Sequence, residues 1–296
     1  MPLPVYLGKS CWGNERMKKI GFIDYRIDEW HANHYPAWIR QAAGTLGLNY
    51  EVAYAYATED APGGRTTGAW CREYGTIPCR TIPEICERSD VLLILAPSDP
   101  QMHLPFAEAV LPYGKPTYID KTFAPDTRTA QAIFDLADHY RTPVFSSSAL
   151  RYASELDGMK NVRHILTCGG GSNAPEYIIH QAEMVIRLLK EEPVRFCAEP
   201  QGKQILFRAG FRSGSTASMI YAPSLPFGVC AETATGEETY SVITSDTFGG
   251  LMRDILRFYE TGTAGFDRSE TMYVMKLREG VLKALSAPET WITTTG

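Results

Sequence analysis

The chain has 296 residues, 44% of them hydrophobic and 21% charged, with a formal net charge of −5. That length exceeds the ~100–200 residues of a single domain, so two domains are expected, and the composition is that of a globular protein able to bury a sizeable core. The acidic balance gives no basic footprint for nucleic acid or for an anionic membrane surface, which leaves small-molecule chemistry as the field.

Met1 to Arg16 contains Pro2, Pro4, Gly8 and Gly13 and has no basic stretch followed by an apolar one, so it does not read as a secretory signal. Met17 stands directly before Lys18-Lys19 and the first strand, which makes it a candidate natural start and residues 1–17 an N-terminal extension. Ile20–Asp24 reads as a strand, His31–Leu46 as a helix ended by Gly47, and Tyr50–Ala57 as a second strand. Val91–Ala96 is a continuous apolar run stopped by Pro97, the mark of a strand buried on both faces. Phe106–Leu111 reads as helix, Thr117–Asp120 as strand, Asp126–Tyr140 as helix and Val144–Ser146 as strand. This alternation means βαβ units, hence a Rossmann-like parallel sheet over 18–148.

After Ser146-Ser147-Ser148 the texture changes. Val162–Thr167, Val194–Glu199, Ile205–Gly210, Ser218–Tyr221 and Tyr240–Thr244 are strand-like with few helices between them. Such clustering predicts an α+β domain over 149–296 with an open, mostly antiparallel sheet. Asp246–Glu260 and Asp267–Leu285 then read as helices, the second opened by the capping box Asp267-Arg268-Ser269-Glu270. The seven cysteines (Cys11, Cys71, Cys79, Cys86, Cys168, Cys197 and Cys230) are scattered, odd in number and without a C-x-x-C pair. They point away from a disulfide framework or zinc ribbon and toward a reducing, cytoplasmic setting. No apolar run reaches the ~20 residues of a membrane span.

In an open parallel sheet, ligands bind beyond the carboxyl ends of the strands. After the first strand a dinucleotide site wants G-x-G-x-x-G, so that the backbone and the helix N-terminus can approach the pyrophosphate. Asp24, Arg26 and Glu29 stand at those three positions. Their side chains fill the approach and the carboxylates repel phosphate, with Arg26 as a partial compensation; this segment alone argues against a nucleotide. Glu59 and Asp60, past the second strand, are candidates for ribose hydroxyls, and NAD and NADP are not distinguished. His31 and His34, with Asp28, have a spacing that suits two or three metal ligands, although such spacing arises by chance and no metal is expected. Trp12, Trp30, Trp38 and Trp70 either line a pocket or pack in the core.

Later strand ends carry more. Ala96-Pro97-Ser98 with His103, then Tyr113-Gly114-Lys115-Pro116 leading into Asp120-Lys121-Thr122-Phe123-Ala124, resembles two signature segments of the Gfo/Idh/MocA oxidoreductases, a T-P-N-like turn with a following His and A-G-K-x-x-x-x-E-K-P-L-A. Asp replaces Glu and Thr replaces Pro. Glu176-Tyr177-Ile178-Ile179-His180 is similar to a third segment, D-x-x-x-H, with Glu for Asp. The likeness runs through nearly the whole chain from Lys18, in order and spacing. It implies an enzyme that moves a hydride between NAD or NADP and a sugar, polyol or related alcohol, assembled as a homodimer or homotetramer through its open sheet.

The resemblance further implies that Lys121 hydrogen-bonds the reacting oxygen and that His180 is the general acid/base, oriented by Glu176. It implies cofactor contacts at Tyr25, Arg26 and Ile27, at Ala96, Pro97 and Ser98, and at His103, Asp120 and Lys121; if a nicotinamide nucleotide binds, its pyrophosphate is expected near Arg26, unlike the glycine-loop arrangement. Arg151 and Tyr152, with His180, would touch substrate. The residues also allow plainer roles. Lys121 could close a turn, Arg151 could form an interdomain salt bridge, and an amphipathic surface helix with Ile178, Ile179, Ala182, Val185, Ile186 and Leu189 on its apolar face explains the His180 segment. Two other functions stay open: a non-catalytic ligand-binding or assembly protein, and a cofactor-independent or metal-assisted lyase or isomerase using the same acid/base groups.

Overall fold

The computed structural model describes residues 16–293; most of the expected N-terminal extension, with Cys11 and Trp12, lies outside them. The first half alternates β1 (Lys18–Asp24), α1 (Trp30–Leu46), β2 (Tyr50–Ala57), α2 (Thr67–Tyr74), β3 (Ile77–Pro78), α3 (Ile82–Arg88), β4 (Val91–Ile94), α4 (His103–Val110), β5 (Thr117–Ile119), α5 (Thr127–Tyr140) and β6 (Val144–Phe145). Their strands form one parallel sheet in the order β3-β2-β1-β4-β5-β6. β4 is buried at all four positions, as its unbroken apolar run requires. α1 stops where expected because Gly47 takes the left-handed conformation (φ 67°) that closes a helix without a Cβ clash.

The second half adds β7 (Val162–Gly169), α6 (Ala174–Leu189), β8 (Pro193–Gln201), β9 (Gln204–Phe211), β10 (Thr216–Tyr221), β11 (Gly228–Thr233), β12 (Glu238–Val242), α7 (Thr247–Thr261) and α8 (Arg268–Ala284). The second sheet runs β12-β11-β7-β10-β9-β8; only the β7–β10 pair is parallel. Its outer face leaves Leu166, Tyr240 and Val242 at least 40% exposed. α2, α3, β3 and β11 escaped the sequence pattern. α2 buries only Trp70 and Cys71, β3 is a two-residue edge, and β11 carries Cys230 and Ala231 where β-branched residues would have marked a strand.

Two cores hold the layers. One joins α3 to α5 beneath the first sheet with α6, α8 and the second sheet; Ile119, Phe134, Ile178, Val185, Phe196 and Leu277 belong to it. The other lies on the opposite face of the first sheet under α1, and α7 returns to it from the C-terminal half through Leu251, Ile255, Leu256 and Phe258. Tyr259 anchors that return by donating to the Leu92 carbonyl at 2.8 Å. The capping box opening α8 is only half formed. The Asp267 side chain accepts from the Ser269 amide at 2.8 Å, but Glu270 turns inward to Arg151 instead of reaching back. Among the described residues no helix is long and apolar enough to cross a membrane.

Candidate active site

The crevice at the carboxyl ends of β1, β4 and β5 faces α6 of the second half, and the residues there fall into two groups. The first group is on the turn between β1 and α1. Asp24, 1% exposed, accepts at one oxygen from the amides of Arg26 and Ala96, both at 3.2 Å, and so ties this turn to the end of β4. Its other oxygen has no hydrogen-bond partner. Burial first, and then the charge of Glu29, push the Asp24 carboxyl well above the usual range. The Glu29 side chain caps α1, accepting from the His31 amide at 2.8 Å and the Ala32 amide at 2.5 Å. Those two amides belong to the helix end that a phosphate would seek.

Arg26 stays at the carboxyl edge of the sheet, where Glu59 follows β2. It lies over the Tyr25 ring at 4.9 Å and donates to Glu59 at 2.7 Å, so the ribose candidate Glu59 is spent on a surface pair. Asp60 accepts from the amide and hydroxyl of Thr67, and Ile27 is buried in the α1 core. Asp28 binds Arg65 and Asn33, while His34 sits against the Trp30 carbonyl at 2.6 Å. The three residues weighed for a metal are therefore not brought together.

The second group keeps its side chains in the crevice. Lys121 follows β5, is 8% exposed, and its ammonium lies 3.9 Å from Glu176. The Lys121–Thr122 peptide bond is cis. Asn173 caps α6 by accepting from the Glu176 amide at 2.9 Å, and this sets Glu176 one turn ahead of His180. Ser98 donates to Glu176 at 2.9 Å, joining the β4 turn to α6. Ala96 holds a positive φ of 62° in that turn, with Pro97 buried beside it. The His180 Nδ1 lies 2.6 Å from the Ser148 hydroxyl. Burial, then the charges of Lys121 and His31, hold its pKa well below the ordinary histidine value, so its ring is neutral near pH 7. On the other side of α6, Ile178, Ile179, Ala182, Val185 and Ile186 are buried, so the amphipathic helix and the site coexist. The glycines before α6 serve packing: a Cβ on Gly170 would stand 1.8 Å from the Ala222 carbonyl oxygen.

Other expected site residues lie elsewhere. His103 is fully buried, its ring nitrogens against the carbonyls of Phe123 at 3.0 Å and Leu95 at 2.5 Å, so it braces the β4 and β5 ends and has no nitrogen left for a ligand. Arg151 forms the buried salt bridge, binding Glu183 of α6 and Glu270 of α8 at 2.8 Å each, and Tyr152 donates to Asp254 at 2.7 Å. Two guanidinium nitrogens and the phenol are thus engaged within the protein, while the Arg151 Nη2 is buried without a hydrogen-bond partner. Sequence reasoning missed Ser148 as the partner of His180, and it weighed His31 only as a metal ligand beside His34. The ring of His31 bonds through Nδ1 to Asp120, 89 residues away, a contact no local spacing announces.

These residues bear on whether a dinucleotide could be held as in other sheets of this kind. The helix end is capped by the chain's own carboxylate, a second buried carboxyl stands beside it, and the nearby cation is paired. The residues do not fit a pyrophosphate in that cradle.

No protein-family model and no curated protein matches the chain. Solved structures do match its fold. The myo-inositol dehydrogenase of Lactobacillus casei, solved with NAD(H) and myo-inositol, is 11% identical with a TM-score of 0.77, over 95% of this chain and 98% of that one. A UDP-N-acetylglucosamine 3-dehydrogenase from Acidithiobacillus ferrooxidans is 13% identical (TM-score 0.72, 90% and 97% covered). An aldose-aldose oxidoreductase from Caulobacter crescentus, complexed with glycerol, is 15% identical (TM-score 0.69, 94% and 100% covered). The chain has the fold of the Gfo/Idh/MocA oxidoreductases.

Proposed function

We propose that the chain is a divergent member of the Gfo/Idh/MocA group and a lyase or isomerase that abstracts a proton beside the carbonyl of a sugar- or polyol-like compound in the crevice. The observation that carries this reading is the convergence of Lys121, Glu176 and His180 from β5 and α6. Lys121 supplies a cation for an oxygen that gains negative charge. His180, neutral and braced by Ser148, exchanges the hydroxyl proton, and Glu176 holds Lys121 in place from one helical turn away. Proton transfer is favoured over hydride transfer because the turn after β1, filled by Asp24 and Glu29, does not fit a pyrophosphate.

Hydride exchange with NAD or NADP is the second reading. It is favoured by the likeness to sugar and polyol dehydrogenases, and by Lys121 and His180 occupying the positions that the resemblance assigns to catalysis. It requires the nucleotide to run clear of the α1 end, with Arg26 released from Glu59. A homodimer or homotetramer through the outer face of the second sheet fits either reading.

Calorimetric titration with NAD(H) and NADP(H), alongside product analysis of a panel of unphosphorylated sugars and polyols, tests the proposal. Turnover of at least one compound without added nucleotide is expected. Turnover only with a bound nucleotide would install the second reading, and no turnover under either condition would end both.

A further inference from the structure

The turn that lost its glycines gained a pair of groups that the function above leaves unused. His31 lies in the first turn of α1, its ring stacked on Tyr35 with centroids 5.1 Å apart and planes within 12°. Its Nδ1 is bonded to Asp120 at the end of β5. Asp120 is fully buried, and its other oxygen is the acceptor for the Lys121 amide at 2.9 Å, the Tyr35 hydroxyl at 3.2 Å and the Tyr118 hydroxyl at 3.3 Å. Burial alone would raise the Asp120 carboxyl, but the charge and hydrogen bond of His31, with Lys121, outweigh it and hold it below its ordinary value. A buried carboxylate so held fixes the ring and the tautomer of its histidine. The Nε2 of His31 makes no hydrogen bond to any described residue and is not among the buried atoms left without a partner, so it touches solvent at the α1 end of the sheet.

His31 comes from α1 and His180 from α6, and both reach the surroundings of Lys121, His31 through Asp120 and His180 one helical turn after Glu176. Lys121 sits between them in the chain of contacts, next to Asp120 and 3.9 Å from Glu176. We infer that His31 is a catalytic base oriented by Asp120, and that with Lys121 and His180 it isomerises an uncharged α-hydroxycarbonyl compound, an aldose or its ketose, without a nucleotide. The inference rests on the crevice being the active site, as proposed above.

The step balances within the substrate. His31 Nε2 takes the proton from the carbon bearing the hydroxyl, and that C–H pair becomes the C=C bond of an enediolate. The carbonyl π pair moves to its oxygen beside Lys121. His180 carries the hydroxyl proton from one oxygen to the other, the role of a neutral imidazole between two oxygens. His31 then returns its proton to the former carbonyl carbon. One carbon is oxidised, its neighbour is reduced by the same electron pair, and no external oxidant enters. Glu29, which occupies the α1 amides that would otherwise bind a phosphate, selects against phosphorylated sugars.

The test is NMR of the purified full chain in D2O with unphosphorylated aldohexoses, ketohexoses and keto-inositols, no nucleotide added. Deuterium incorporation next to the carbonyl is expected from the wild type. His31→Ala should lose about 100-fold or more of it, and added imidazole should restore part, which a merely unfolded variant cannot show. Asp120→Asn, a positioning change, should lower kcat and move the pH profile with KM little altered. Wild-type exchange that persists in His31→Ala but vanishes in His180→Ala would overturn this inference and leave the proposed function standing. Turnover that needs NAD or NADP would overturn it in favour of hydride transfer. Silence of the wild type on the whole panel, with and without nucleotide, would overturn both.

Discussion

The two walls of the crevice have diverged in opposite ways. The wall built from β5 and α6 keeps its cation, its imidazole and a carboxylate one helical turn apart, each fixed by a neighbour: Lys121 by Glu176, Glu176 by Ser98 and Asn173, and His180 by Ser148. The wall built from β1 and α1, where an open parallel sheet would hold a dinucleotide, is filled by Asp24 and Glu29. A helix N-terminus attracts whatever negative charge is near. Here Glu29, five residues after Asp24, already occupies it. The comparison teaches that a fold preserves the place of a site while one wall's chemistry is replaced outright.

The largest expected effect lies on the wall that kept its side chains. Lys121→Ala and His180→Ala should each lower turnover by about 100- to 10,000-fold. Both side chains border the crevice and leave the helix and sheet hydrogen bonds intact, so thermal melting should move little. Steady-state kinetics beside calorimetric melts would check this. Turnover within a few-fold of wild type in either variant would remove that residue from the chemistry and make the two walls equally inert.

How far the sequence announced these walls follows from how local each signal is. The parallel sheet was legible because strand and helix periods repeat at short spacing, and Gly47, Asp126 and Asn173 stand at helix ends for reasons of backbone geometry that residue type reveals. Lys121 and His180 were legible through order and spacing along the chain. His31 with Asp120 was not, because only the folded sheet brings residues 89 apart within bonding distance. Arg151 could be read two ways from sequence, and burial between Glu183 and Glu270 decides for the salt bridge. His103 carried a signature position, yet its nitrogens are spent on two carbonyls. Residue type predicts what a group can do, whereas its partners decide what it is free to do.

A smaller effect sharpens the contrast from the other side. Returning glycine to the cradle with Asp24→Gly, Arg26→Gly and Glu29→Gly together frees the amides of His31 and Ala32 and removes two carboxyls. Affinity for NAD(H) or NADP(H) should rise at least tenfold, roughly 1.4 kcal/mol, as read by calorimetric titration. Glycine is itself tolerated at a helix N-cap, so loss of the Glu29 cap should cost only about a few tenths of a kcal/mol. Unchanged affinity would mean that the carboxylates are not the obstacle and that the walls differ for another reason.

The smallest effect separates two acids within the β1–α1 turn. Asp28 is pulled down to about 2, first by its hydrogen bond from Arg65, so its contribution to stability is present above the ordinary carboxylate pKa and fades as pH falls toward that value. Asp24 is pushed the other way, by burial and then by Glu29. The folded chain binds its proton more tightly than the unfolded chain does. Its contribution is therefore full below an ordinary pKa of about 4 and is lost as pH rises through the raised value. Asp24→Asn imitates the protonated acid permanently: the side-chain oxygen still accepts from Arg26 and Ala96, and a neutral group replaces an oxygen that has no partner. The variant should match the wild type near pH 4 and exceed it by about 1 kcal/mol near pH 7, since an unpaired buried charge costs more than an unpaired neutral group. Urea midpoints at the two pH values measure the difference. An equal offset at both would show that Asp24 does not titrate between them, and that the turn tolerates its charge as easily as the opposite wall tolerates Glu176.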